Sequence, residues 1–204
     1  MNLWLNKLKR IQALAQNGLA YAENPYDIER YEELRQISVE LMAALSETDF
    51  NTVKDLFAGE TGYQTPKVDV RAVIFQEGRL LLIREKVDGC WSLPGGWADI
   101  GYSPGEVAAK EVQEEAGLEV EPVRLIGVLD KQKHPHPPSP YYTYKIFIGC
   151  RILRGTGQPG METCGVGFFG PDELPPLSTE RITASQIRWL FEDHRQNRVT
   201  AVFD

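Results

Sequence analysis

The sequence predicts an α/β protein, an α/β/α sandwich with a mixed sheet, preceded by a small all-helical N-terminal domain. Three observations carry this expectation. Residues 1–62 repeat apolar side chains every three to four positions, as in Trp4, Leu8, Ile11, Ala15 and Leu19 and again in Tyr31, Leu34, Ile37, Leu41 and Leu45. Past Gly59, Gly62 and Pro66, β-branched and aromatic residues take over in short runs. Those runs stand on both sides of one strongly marked helix that begins after Ser103 and stops at Gly117. The chain is therefore read as a helical domain over 1–62 and an α/β domain over 63–204.

Each element has its own local signal. Asn24-Pro25 supplies an N-cap and a proline at the first helical position, and a third short helix covers Phe50 to Phe57. Val68 to Phe75 and Leu80 to Arg84 read as a hairpin turning at Glu77-Gly78. Trp91 to Leu93 leads into the Gly95-Gly96 loop. The helix that follows has Ser103 as N-cap, Pro104 at its first position, Glu106 completing a Ser-x-x-Glu capping box, and Tyr102 with Val107 at the staple positions. Gly117 is placed for a left-handed stop. Strands follow around Val123 to Lys131, Tyr144 to Leu153 and Gly167 to Phe169. A second capping box, Thr183-x-x-Gln186 with Ile182 and Ile187 as staple, starts a helix carrying Trp189, Leu190 and Phe191. The sequence contains no internal repeat and no low-complexity tract.

Composition narrows the function classes. With 204 residues, 42% of them hydrophobic, the chain is long enough for one full domain and a smaller one. A formal charge of −7, and a net of −4 over residues 1–62 from six Lys+Arg and ten Asp+Glu, argue against nucleic acid or an anionic membrane as partner. Cys90, Cys150 and Cys164 are odd in number and lack Cys-x-x-Cys spacing, which predicts reduced, buried thiols in a cytoplasmic protein and neither a disulfide framework nor a zinc site. No apolar run has the length of a signal peptide or a membrane span.

The chemistry concentrates between Gly95 and Leu118. Glu111, Glu114 and Glu115 are spaced i, i+3, i+4, so on a helix they leave one face and converge on one small volume behind a glycine-rich loop. Hard carboxylate oxygens in that arrangement suit Mg²⁺, with Mn²⁺ as the other candidate, both of which take further ligands from water and substrate phosphates.

At these residues the chain resembles the Nudix hydrolases, whose signature is G-x5-E-x7-R-E-U-x-E-E-x-G-U, with U aliphatic. Gly96 takes the first position, Lys110 the Arg position, and Glu111, Val112, Glu114, Glu115, Gly117 and Leu118 complete it. Two positions depart: Lys110 keeps the charge of Arg but not its planar fork, and Tyr102 stands in place of the first Glu. The resemblance implies the Nudix sandwich fold and metal-assisted hydrolysis of a phosphoanhydride. It implies Glu111 and Glu115 as metal ligands, Glu114 as ligand or outer-shell base, and the Gly95 carbonyl as a backbone ligand. It also implies a further carboxylate from a later loop, for which Glu162 is the candidate. Arg71 and Arg84 are candidate phosphate clamps.

The helical N-terminal domain and the loop from Asp130 to Tyr144 are similar to one Nudix subgroup. Its members hydrolyse nucleoside diphosphates linked to a second moiety, among them ADP-ribose and CDP-choline pyrophosphatases. The loop carries Pro135, Pro137, Pro138 and Pro140, which make it a stiff arm able to hold His134, His136 or Tyr142 against substrate. The other reading of the loop is a rigid surface connection with incidental histidines. The apolar stripes of residues 1–58 are too wide for so small a domain to bury alone, which predicts a homodimer. A weakly catalytic nucleotide sensor is the alternative function, and metal-dependent turnover separates it from an enzyme.

Overall fold

The structure is a computed structural model that describes residues 2–46 and 49–204. Residues 1, 47 and 48 of the expected helical domain lie outside the described residues. The chain divides into two compact units, residues 1–66 with 138–142, and residues 67–137 with 143–204.

The first unit holds α1 (Asn2–Tyr21), α2 (Pro25–Ser46) and α3 (Phe50–Ala58). Asn24 caps α2 through its side-chain oxygen, which accepts from the Tyr26 N–H at 2.9 Å, and Asp49 caps α3 in the same way. Among the described residues the core of this unit is formed by Leu8, Val39, Met42, Val53 and Ala58. The expected stripe is only partly inside. Trp4, Ile11, Leu34, Ile37 and Leu41 are all exposed, Trp4 by 66%. The seam is instead filled by Ala13, Ala15 and a buried polar chain in which Ser38 donates to Gln12, Gln12 to Gln16, and Gln16 to the Gly62 carbonyl. Gly18 permits close approach, since a Cβ there would lie 2.4 Å from the Tyr31 ring. Lys9, buried, donates to the carbonyls of Ser139 and Tyr141 at 3.0 and 2.8 Å and sits 4.2 Å above the Tyr142 ring, which ties 138–142 to this unit.

The second unit is a sandwich of two sheets and two helices. Its five-stranded mixed sheet runs β5 (Gly95–Trp97), β1 (Lys67–Val73), β7 (Thr143–Arg154), β6 (Glu119–Asp130), β9 (Val202–Phe203), with β1–β7 and β6–β9 parallel. A smaller sheet joins β2 (Phe75–Gln76), β3 (Arg79–Glu85), β4 (Trp91–Ser92) and β8 (Thr163–Phe169). The expected hairpin is real only at its tip. β2 pairs with β3 across Glu77-Gly78, both at positive φ, as a two-residue primed turn requires, whereas β1 leaves for the other sheet. On one face α4 (Pro104–Ala116) packs Val107, Ala108, Val112 and Ala116 against Val70, Ala72, Ile148 and Cys150. On the other, α5 (Ala184–Arg195) packs Ile187, Leu190 and Phe191 against Val73, Leu129 and Phe147. Both capping boxes form, and Gly117 ends α4 in the left-handed region at φ 63°.

The thiols are unpaired, but only Cys150 is buried; Cys90 is half-buried and Cys164 exposed because it alternates outward along β8. Among the described residues no helix is long and apolar enough to cross a membrane.

Candidate active site

The glycine loop meets the glutamate helix at one point. Gly95 lies opposite Arg71 on β1 at φ 141°, where a Cβ would stand 2.0 Å from the Val70 carbonyl oxygen, so no other residue fits. Its amide donates to Glu115 Oε2 at 2.7 Å. A Cβ on Gly96 would come within 3.1 Å of Glu111 Oε1, which places the Glu111 carboxylate against the same loop. Glu111 and Glu115, one helical turn apart, therefore face it together.

The third glutamate does not join them. Glu114 is exposed and pairs with Lys110 at 3.4 Å, while Lys110 also reaches Asp99 at 3.2 Å. The expectation that all three converge is corrected: the i, i+3 offset carries Glu114 round toward solvent, where the Lys110 ammonium holds it. Lys110 thus links two carboxylates from the position where the signature has Arg. Tyr102, in place of the first Glu, is exposed and lies 5.9 Å from the Lys110 ammonium. Among the described residues no three His, Cys, Asp or Glu side chains are gathered in metal-binding geometry.

Burial pushes the Glu115 carboxyl up to about 8, against the Gly95 N–H and the Arg71 charge that pull it down, with Glu111 and Glu85 adding to the rise. Glu111 is also raised, first by burial, with Lys110 opposing. A buried Glu115 and a half-buried Glu111, both at raised pKa, are a donor set that a divalent cation relieves. Mg²⁺ is held by one or two carboxylates plus waters and phosphates, so the pair fits it without a third protein carboxylate in place.

Behind the pair runs a buried charge ladder. Asp69 and Arg71 lie two residues apart on β1, and Lys145 stands opposite Asp69 on β7. Arg71 Nε donates to Asp69 Oδ1 at 2.7 Å, Arg71 Nη1 donates to the Leu93 carbonyl at 3.1 Å, and Lys145 pairs with the other Asp69 oxygen. All three are buried, Lys145 completely. Burial would raise Asp69, but Arg71 and Lys145 prevail and hold it below the usual carboxylate range; burial pulls Lys145 down to about 8 despite Asp69. Glu85, also buried, accepts from Ser92 Oγ at 2.8 Å and pairs with Arg181 at 3.0 Å.

The other candidates scatter. Arg71 sits behind the glutamates with two of its donor groups already engaged. Arg84 is on the smaller sheet and donates to the Gly89 carbonyl at 2.8 Å. Glu162 is exposed, in a loop fastened to the end of α4: Thr163 Oγ1 donates to the Glu115 carbonyl at 2.7 Å, and Gln158 N–H to that of Ala116 at 2.8 Å. His134 Nε2 lies 3.2 Å from Asp204, and His136 Nδ1 lies 2.7 Å from the Thr179 carbonyl. Tyr142 belongs to the helical unit. Sequence reasoning missed Asp69, Lys145 and Glu85. Their signal was a charged residue at an inward position of an alternating strand.

A mixed-sheet sandwich whose glycine loop faces paired glutamates on one helix defines the Nudix class, and the comparisons agree. Residues 65–190 match the NUDIX domain family, and residues 2–57 match the family described as the UDP-X-like, N-terminal oligomerisation domain. The chain belongs to the Nudix family and is a Nudix hydrolase.

The relatives are specific. A Bacillus subtilis (strain 168) protein named "putative ADP-ribose pyrophosphatase" is 51% identical over 201 residues, which cover 98% of this chain and 97% of that protein. A crystal structure of an ADP-ribose pyrophosphatase from Streptococcus suis 89-1591 is 47% identical, with TM-score 0.63 over 69% of this chain and all of that one. A crystal structure of a UDP-X diphosphatase is 33% identical, with TM-score 0.65 over 100% of this chain and 98% of that one.

Proposed function

We propose that the protein is a Mg²⁺-dependent pyrophosphatase of nucleoside diphosphates linked to a second moiety, of the ADP-ribose class. It yields a nucleoside monophosphate and the phosphorylated partner group. The observation that carries this is the Glu111–Glu115 pair facing the Gly95-Gly96 loop at raised pKa. The name of the full-length Bacillus subtilis relative, and that of the Streptococcus suis structure matched over 69% of this chain, support ADP-ribose over CDP-choline as the first substrate to test.

Bound Mg²⁺ would neutralise the diphosphate and lower the pKa of a coordinated water. Glu111 and Glu115 are the proposed ligands, with the Gly95 carbonyl beside them, and the Gly95 N–H fixes the Glu115 rotamer before any ligand arrives. Arg71 lies behind both carboxylates and offsets their repulsion. Glu114, released from Lys110, is the proposed outer-shell base that takes the proton from the attacking water. Glu162 supplies a further carboxylate from the loop anchored to α4. His134, His136 and Tyr142 are the proposed grip on the substrate's organic parts.

Residues 1–62 are the proposed assembly module and 63–204 the catalytic domain. The exposed side chains of Trp4, Ile11, Ile37 and Leu41, together with the oligomerisation family matched by residues 2–57, support a homodimer. A nucleotide sensor with little turnover is the second reading, favoured by the Tyr102 and Lys110 departures. Mass spectrometry of products from ADP-ribose, UDP-sugar and CDP-choline, with and without Mg²⁺, tests the proposal. Metal-dependent release of a monophosphate supports it, and binding without cleavage of any of the three replaces it with the sensor.

A further inference from the structure

Glu115 is gripped at both ends. Its side chain accepts from the Gly95 N–H, and its backbone carbonyl accepts from Thr163 Oγ1 at 2.7 Å. The last carbonyls of an α-helix have no partner within the helix, and this one is served by a side chain 48 residues away. Thr163 is 1% exposed, and the same oxygen accepts from the Gly160 N–H at 2.8 Å, so its proton and one of its lone pairs are both used inside the protein.

A bulge brings Thr163 to that position. β3 and β8 pair Arg84 with Gly165 and Glu85 with Thr163, which leaves Cys164 as an extra residue. In a regular ladder Cys164 would stand opposite Glu85. The bulge instead leaves Cys164 exposed and Thr163 buried against the end of α4.

The loop before Thr163 lies flush on the same helical turn. A Cβ on Gly160 would stand 1.7 Å from the Glu114 carbonyl oxygen, and one on Gly155 would stand 2.7 Å from that of Gly117. The Gln158 N–H donates to the Ala116 carbonyl at 2.8 Å. From the other side, the Lys86 N–H donates to the Glu162 carbonyl at 3.0 Å and the Lys86 ammonium to the Met161 carbonyl at 2.6 Å. The Glu162 backbone is therefore held between β3 and α4, while its side chain is exposed. Of these loop-to-helix contacts, only the Thr163 bond to Glu115 is made by a side chain.

We propose that Thr163 is a positioning residue that locks the Glu162 loop to the turn of α4 carrying Glu114 and Glu115, so that carboxylates from helix and loop meet the metal in one arrangement. Mg²⁺ tolerates little departure from octahedral geometry, so ligands drawn from two elements must keep a fixed spacing. The proposal rests on the metal-dependent pyrophosphatase reading for the role of these carboxylates, but its first readout needs no turnover. Mn²⁺ binding to the substrate-free protein is measured by calorimetry, and kcat and KM for ADP-ribose are measured at saturating Mg²⁺. Thr163→Val, nearly isosteric, should weaken Mn²⁺ binding and lower kcat by about tenfold each, with KM changed by less than about twofold, and Thr163→Ser should restore both.

Mn²⁺ affinity and kcat near the wild-type values in Thr163→Val, or losses that Thr163→Ser does not restore, overturn the proposal and leave Thr163 a packing residue. Should Thr163→Val not fold, Gly160→Ala keeps the hydroxyl but drives the loop off the Glu114 carbonyl; it must weaken Mn²⁺ binding too, and unchanged affinity there overturns the proposal. A wild-type protein that binds no Mn²⁺ overturns it whatever the turnover. Weakened Mn²⁺ binding in Thr163→Val, with no cleavage by the wild-type protein, would defeat the pyrophosphatase reading and leave the positioning role standing. Wild-type cleavage with unchanged Mn²⁺ binding in the variant would do the reverse.

Discussion

The Gly95 amide donates to Glu115 Oε2 at 2.7 Å, across twenty residues of chain and between a strand and a helix. That bond fixes one carboxylate of the candidate metal pair, and burial of the same carboxyl pushes its pKa up to about 8 against the pull of the bond itself.

The first prediction concerns pH. A group whose folded pKa is raised contributes stability below its unfolded value that is lost as pH climbs through the folded value. For Glu115 the window is about 4.5 to 8. His136, lowered from 6.5 to about 4, acts in the opposite sense between those values. The metal-free protein should therefore lose stability chiefly between pH 6.5 and 8, and Glu115→Gln should flatten that slope. Chemical denaturation in EDTA across this range checks it; an unchanged slope in the variant removes Glu115 as its source.

A second concerns the buried ladder. Asp69→Asn leaves Arg71 and Lys145 as two buried like charges, and removing one partner of a buried pair costs about 3–5 kcal/mol. Lys145→Met keeps the Asp69–Arg71 pair and should cost much less. Urea denaturation of the two variants checks the order, which a merely structural lysine would reverse.

The helical unit gives a third. Lys9→Met deprives the Ser139 and Tyr141 carbonyls of their ammonium donor, so the segment 138–142 should loosen at a cost of about 1–3 kcal/mol. Faster limited proteolysis within 138–142 is the expected readout.

Assembly gives a fourth. The wild-type protein should scatter light as a homodimer at micromolar concentration, and Ile37→Glu with Leu41→Glu should render it monomeric, since both side chains are exposed in the single chain. A wild-type monomer contradicts the assignment of that face.

Much of the site was legible because its signals are local. Ser103, Pro104, Glu106 and Gly117 bound α4 by backbone chemistry within one turn, and once the helix is bounded the i, i+4 spacing of Glu111 and Glu115 follows. What was not legible is long-range. Nothing near Lys145 reveals Asp69, 76 residues away, as its partner, although a lysine at an inward strand position should have asked for one. Nothing in the apolar run from Val68 shows that β1 abandons the Glu77-Gly78 hairpin for the larger sheet. The helical stripe misled for a related reason: periodicity locates an apolar face, and the small residues Ala13, Ala15 and Gly18 decide which face the neighbouring helix takes.

The most direct test of the central claim is turnover of ADP-ribose by Glu115→Gln at saturating Mg²⁺, with circular dichroism to show that the fold is kept. Loss of a charged ligand from the cation that stabilises the transition state predicts a fall of roughly a hundredfold or more. Turnover near that of the wild-type protein would contradict it.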